Sequence, residues 1–177
     1  MTNFNFSPFP ILKTERLHLR PLIASDAHEV LFMRSDTKVN EYIIRKPMEN
    51  LKEAKAFIQK IDTSIRNKKC IDWVITNKEN SQFIGTICLW NLEETKKYGE
   101  IGYALHPEEQ GKGIMNEAMQ CVLNYGFESM GLKTIEAYTH RENEASKKLL
   151  ERNGFVLDPA RKDEGFPHNV IFTLQVG

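Results

Sequence analysis

A strand that breaks at a proline, turns on two glycines and enters a long helix constrains this chain more than any other stretch. Glu100 to Leu105 has the alternation of a strand. The run His106-Pro107-Glu108-Glu109-Gln110-Gly111-Lys112-Gly113 interrupts it. From about Gly113 an amphipathic pattern holds helical spacing to Met130, and Gly131 supplies a stop. A helix that starts straight after such a turn leaves its first backbone N–H groups without intrahelical partners, and its dipole adds partial positive charge there. Gly111 and Gly113 lack a Cβ, so an anion can come close to the backbone. The segment reads as an anion cradle, which implies a phosphorylated ligand.

Spacing excludes two common phosphate motifs. A P-loop carries Gly, four residues, then Gly-Lys-Ser/Thr, but Lys112 is followed by Gly113. A dinucleotide fingerprint has a third glycine three positions after the second, where this chain has Asn116. Glu100-Ile101-Gly102-Tyr103, then Pro107-Glu108, then Gly111-Lys112-Gly113 instead resemble the acyl-CoA pyrophosphate loop of the GNAT superfamily of N-acetyltransferases. The likeness is to its RimJ/RimL-type branch, which acetylates ribosomal protein N-termini. Two further blocks resemble that branch in order. Thr14-Glu15-Arg16-Leu17-His18-Leu19-Arg20-Pro21 lies near the start. Asn143-Glu144-Ala145-Ser146, then Leu149-Leu150-Glu151-Arg152-Asn153-Gly154-Phe155, lies downstream. Together the blocks span nearly the whole chain.

The remaining pattern predicts a mixed α/β layer with helices on both faces of a twisted sheet. Residues 16–22 alternate as a strand, and Ser25 and Asp26 open a short helix to about Arg34. Asn50 is an expected N-cap for a helix in which Leu51, Ala54, Ile58, Ile61 and Ile65 recur at helical spacing. Strands are expected near 71–77, 83–91 and 98–105, over Thr134 to Thr139, and near 155–161 and 169–175. Glu144 to Asn153 reads as a helix ended by Gly154. The resemblance implies the GNAT fold in one N-acetyltransferase domain over residues 1–177. It is a mixed, mostly antiparallel sheet of about seven strands, with a cofactor slot where two central strands splay apart.

Composition excludes other classes. The 24 acidic and 24 basic residues cancel, which speaks against direct nucleic-acid binding. No apolar run is long enough to span a bilayer, and Met1 to Pro10 has no basic leader pattern, so neither a membrane nor secretion is expected. Cys70, Cys88 and Cys121 read as reduced thiols in a cytoplasmic protein. His18, His28, His106, His140 and His168 show no metal-ligand spacing, so no metal is expected, and no Gly-x-Ser-x-Gly elbow is present.

Residue by residue, the readings divide. Glu100, Gly102 and Ala104 share one strand face, opposite Ile101, Tyr103 and Leu105. A carboxylate beside two small residues leaves either a groove for a thin arm such as pantetheine, or a solvated glutamate with Gly102 at a bulge. The resemblance places a general base at Glu100. Asn143 is a helix cap, and the resemblance adds a contact to the pantetheine amide. Ser146 is a first-turn serine, and the resemblance makes it the acid that protonates the departing thiolate. Many relatives use a tyrosine four residues later, but that position is Leu150. An acid at Glu108 beside a phosphate is unfavourable unless it points away, so binding is assigned to the backbone of Gln110, Gly111, Lys112, Gly113, Ile114 and Met115. Lys112 and Arg152 either reach phosphates or are solvated. The resemblance adds Tyr103, Ala104, Leu105 and Leu149 to the acyl-CoA site.

The expected activity is acetyl transfer from acetyl-CoA to a primary amine. A free α-amine has a pKa near 7.7–8.0, so roughly a tenth is neutral at pH 7, against about 1 part in 2,500 for lysine. One glutamate suits the first better. The resemblance implies a ribosomal protein N-terminus as acceptor and a monomer or homodimer. A small-molecule acetyltransferase, for an antibiotic, polyamine or amino acid, and a non-catalytic acyl-CoA sensor are the alternatives.

Overall fold

The computed structural model describes residues 4–177; Met1–Asn3, the start of the segment read above as lacking a leader pattern, lie outside them. The hairpin β1 (Leu12–Lys13) and β2 (Leu17–Pro21) comes first. Asp26 then takes a bidentate bond from Arg20, at 2.8 Å to each oxygen, and a third from the Ile23 N–H at 2.9 Å. This pair, with Asp26 buried and Arg20 half-buried, fixes the short 3-10 turn that leads into α1 (Ala27–Ser35). Helix α2 (Leu51–Arg66) starts where expected, because the Asn50 side chain accepts from the Glu53 N–H at 3.0 Å.

Three antiparallel strands follow, β3 (Ile71–Asn77), β4 (Phe83–Glu93) and β5 (Tyr98–Leu105). Helix α3 (Ile114–Asn124) passes into a wider π-type turn over Tyr125–Ser129, so the expected helix to Met130 is regular only in its first part. At Gly126 an added Cβ would lie 3.1 Å from Ile135 and 3.2 Å from Leu89, so the turn packs hard on the sheet. β6 (Thr134–His140), α4 (Glu144–Arg152), β7 (Val156–Asp158) and β8 (Asn169–Gln175) complete the order. The strand expected over 155–161 shortens to three residues, since Pro159 cannot donate to a ladder. The described sheet has eight strands rather than seven, the addition being the two-residue β1.

The sheet order is β1-β2-β3-β4-β5-β6-β8-β7. Every pair is antiparallel except β5 with β6. That parallel pair has only three rungs, Tyr98–Thr134, Gly99–Ile135 and Glu100–Glu136. Beyond Glu100, β5 stays paired with β4 and β6 with β8, but not with each other. A wedge therefore opens between Ile101–Leu105 and Ala137–His140. One face of the sheet buries Leu19, Trp73, Ile87, Leu89, Ile101 and Ile135 under α3 and its continuation. On the other face Met33 of α1 packs on Val74 and Phe83, and α1 packs on α2 through Ala27, Val30, Ala54 and Ile58.

Candidate active site

The glycine loop has the geometry an anion cradle demands. Gly111 and Gly113 both sit in the left-handed region, at φ 76° and 75°. Nothing lies within 4 Å of a Cβ added to Gly111, and one on Gly113 would lie 3.5 Å from Arg16 Nη2. Gly113 is the N-cap of α3 and offers no side chain to it, and the first intrahelical bond runs from the Glu117 N–H to Gly113. The amides of Ile114, Met115 and Asn116 are thus left for a ligand. Arg16 donates to the Lys112 carbonyl at 2.9 Å and to Glu117 Oε2 at 2.7 Å, while Thr14 Oγ1 and the Arg16 N–H hold Glu117 Oε1. The first hairpin thereby braces the loop. Lys112 Nζ is turned to Glu109 Oε2 at 3.1 Å.

Across the wedge, Asn143 caps α4 by accepting from the Ser146 N–H at 3.1 Å. Ser146 is buried, and its hydroxyl lies 2.6 Å from the Tyr103 hydroxyl of β5. Sequence reasoning found no tyrosine at Leu150, which is fully buried core, yet a phenol reaches Ser146 from the other wall of the wedge. Burial pushes the Tyr103 hydroxyl up to about 12, partly offset by the Ser146 hydrogen bond. Leu149 packs on the core, Arg152 is exposed, and Asn153 ties α4 to the first turn of α3 through Asn116 at 2.9 Å.

Glu100 stands at the apex of the wedge and is 7% exposed. It is no solvated strand residue. Gly102 is in regular register rather than at a bulge, and a Cβ there would lie 3.2 Å from Cys88 Sγ. The bulge lies on β4 between Trp90 and Glu93, where Asn91 takes φ 46° and turns its amide to Glu100 Oε1 at 2.7 Å. The Tyr98 hydroxyl lies 3.1 Å from the same oxygen and 2.9 Å from Glu136 Oε2. Glu136, the register partner of Glu100, also accepts from Tyr138 at 3.0 Å and from both terminal nitrogens of Arg161.

Tyr98 has one hydrogen and faces two carboxylates. Glu136 is desolvated, but Arg161, Tyr98 and Tyr138 outweigh that and hold its carboxyl below the usual range. Glu100 moves the other way, raised chiefly by burial and further by the Glu136 charge, against the hydrogen bonds from Asn91 and Tyr98. Two adjacent carboxylates are thus pushed apart, one fixed as an anion and one made more basic. Tyr98, Asn91, Glu136 and Arg161 are absent from the sequence reading. Only Tyr98 carried a signal there, sharing a strand face with Glu100 at period two.

Gln110, Gly111, Gly113, Ile114 and Met115 of the loop line one continuous cavity of about 1190 Å³ with Glu100, Tyr103, Asn143, Ser146, Leu149 and Arg152, whereas Lys112 is not part of its lining. It runs on past Gly102 and Cys88 to α1, α2 and the segment between them. Among the described residues no three His, Cys, Asp or Glu side chains are grouped to hold a metal, and no helix is long and apolar enough to cross a membrane.

The sequence model of the acetyltransferase (GNAT) domain family matches residues 16–156. An uncharacterized N-acetyltransferase, YoaA of Bacillus subtilis (strain 168), is 35% identical over 147 residues, covering 83% of each chain. The ribosomal-protein-serine acetyltransferase of Escherichia coli (strain K12) is 31% identical over 88 residues, 50% of this chain and 49% of its own. The solved structure of RimL, a ribosomal L7/L12 alpha-N-protein acetyltransferase in complex with coenzyme A, superposes with a TM-score of 0.82 at 19% identity. It covers 94% of this chain and 98% of that one, a likeness of fold.

Proposed function

This chain belongs to the acetyltransferase (GNAT) family and is an N-acetyltransferase, and we propose that it moves the acetyl group of acetyl-CoA to the N-terminal α-amine of a protein or peptide. The observation that carries this is the wedge between β5 and β6. It has a phosphate cradle at its mouth, a basic carboxylate at its apex, and a paired serine and tyrosine between them. The distant ribosomal-protein acetyltransferase relatives support a ribosomal protein as acceptor. Residues 1–177 form a single catalytic domain in this reading.

The donor's pyrophosphate lies on the amides of Ile114, Met115 and Asn116, with Gly111 and Gly113 giving it room. Its pantetheine arm enters the wedge beside Tyr103, Ala104 and Leu105 and meets Asn143. The amine attacks the thioester carbonyl carbon, the C–N bond forms and the C–S bond breaks. Glu100, directly or through one water, takes the amine proton. A β5 backbone N–H near Leu105 faces the developing oxyanion. The Ser146–Tyr103 pair returns a proton to the CoA sulfur.

Turnover of acetyl-CoA over a panel of N-terminal peptides, lysine peptides and small amines tests the assignment. N-terminal peptides are expected to be preferred. A small amine turned over best would overturn the acceptor class, and binding of acetyl-CoA without any turnover would overturn the catalytic reading.

A further inference from the structure

The far end of the cavity carries charges that the transfer chemistry does not use. Asp72 of β3 is in register with Cys88 of β4, and Cys88 with Gly102 of β5, so the three side-chain positions form one row across the floor. Arg34 of α1 lies above, its guanidinium 4.1 Å from the centre of the Phe57 ring. Both Arg34 and Asp72 line the cavity. Among the described residues neither makes a side-chain hydrogen bond or an ion pair within 4 Å. Both are half-buried, and charged groups that face a cavity without a protein hydrogen bond leave their donors and acceptors open to a ligand.

The two ends of the cavity differ in sign. At the apex stands Glu100, with Glu136 neutralised by Arg161. At the far end Arg34 is backed by Arg45, which clamps the segment between α1 and α2 by donating to the Met33 carbonyl at 3.3 Å and to Asn40. Lys38 and Glu41 on the same segment cancel. Burial pushes Asp72 up to about 7, with Arg34 opposing, which weakens its negative charge. Arg34, Arg45 and Lys38 outnumber Glu41 and Asp72, so the far end is net positive. Two strand spacings of about 4.8 Å and two residues of about 3.4 Å place the backbones of Asp72 and Glu100 roughly 12 Å apart along the diagonal.

We propose that Arg34 and Asp72 form an acceptor subsite that selects amines bearing a carboxylate roughly 12 Å from the reacting nitrogen, the carboxylate docking on the Arg34 fork. In an extended peptide, that reach corresponds to an acidic side chain on about the third residue. Asp72, in its neutral form, donates to the same carboxylate. The inference rests on the reading of this chain as an acetyl-CoA-dependent enzyme.

Two bisubstrate conjugates test it without needing turnover. CoA is joined through an S-acetyl link to the α-amine of Gly-Gly-Asp-amide or of Gly-Gly-Asn-amide. Calorimetry on the full chain is expected to show the Asp conjugate binding about tenfold more tightly or better. Arg34→Gln should bring the two within about twofold while leaving the affinity for CoA itself unchanged, and Arg34→Lys should fall between. Asp72→Asn should keep the preference. Equal binding of the two conjugates by the wild-type protein, or a preference that survives Arg34→Gln, overturns the subsite. Loss of the preference in Asp72→Asn overturns the assignment of the carboxylate to Arg34. If neither CoA nor either conjugate binds, the donor reading itself fails and this one with it.

Discussion

Replacing Glu100 by Gln separates stability from activity and tests why the residue is there. The carboxyl is buried, its Oε1 is held by Asn91 and Tyr98, and its pKa is raised by burial above that of an exposed glutamate. A raised carboxyl pKa means that the folded state holds its proton more tightly than the unfolded chain. The wild-type protein therefore loses stability as pH rises from about 4.3, the unfolded value, to the folded value, and carries the full penalty above it. Each unit of displacement is worth about 1.4 kcal/mol. Gln keeps the shape and an oxygen for Asn91 but carries no charge. Glu100→Gln should melt higher than wild type at pH 8, with the difference shrinking toward pH 4. Turnover should move the opposite way. A general base is typically worth 10²–10⁴-fold, and its value depends on how much amine is still protonated. An α-amine of pKa about 7.8 is about 5% neutral at pH 6.5 and over about 90% neutral at pH 9. The deficit of the variant should therefore shrink by up to about twentyfold between those values. Thermal melts across pH and initial rates of thiol release with one peptide acceptor supply both readings. A variant that melts lower at pH 8, or a rate deficit identical at every pH, would refute the picture of a strained base and leave Glu100 a positioning role.

Gly113→Val should remain folded but weaken acetyl-CoA binding in calorimetry, because φ 75° costs a β-branched residue about 1–2 kcal/mol and its branch enters the cradle; undiminished affinity in a folded variant would remove the cradle's role. Ser146→Ala and Tyr103→Phe should each lower the turnover number by about tenfold or less, since the thiolate leaves with a pKa near 8.5. The double variant should be little worse than either alone, because the two hydroxyls share one hydrogen bond; fully multiplicative losses would show that they act separately. Asn143→Ala should lower the melting point by the loss of a cap worth about 1 kcal/mol and raise the Michaelis constant for acetyl-CoA, with turnover number nearly kept; an unchanged Michaelis constant would reduce Asn143 to a cap.

The geometry of the glycine loop was legible in the sequence because it is local. A strand, two glycines and a helix lie within Glu100 to Ala118, and their meaning comes from spacing alone. The caps at Asn50 and Asn143 were legible for the same reason. The apex was not. Glu136 reaches Glu100 only through a parallel register between strands separated by α3, and Arg161 arrives from beyond β7. Asn91 turns inward only because β4 bulges, and nothing in Trp90-Asn91-Leu92 announces a bulge. The Tyr103–Ser146 pair joins residues 43 positions apart across an opening that the alternation of β5 does not reveal.

The brace between the first hairpin and the glycine loop bears on how the chain acquires its function in time. Thr14 and Arg16 meet Glu117 across separations of 103 and 101 residues. Contacts of such long range close large loops and tend to be among the last to form. Strands β3 to β5 and helix α3 can assemble from nearer neighbours, yet the glycine loop gains its brace only when the first hairpin folds back onto it. A chain shortened past Arg16 is expected to keep most of the sheet and every residue assigned to the chemistry while losing the brace on Lys112 and Glu117, so the first hairpin acts as a latch on the glycine loop.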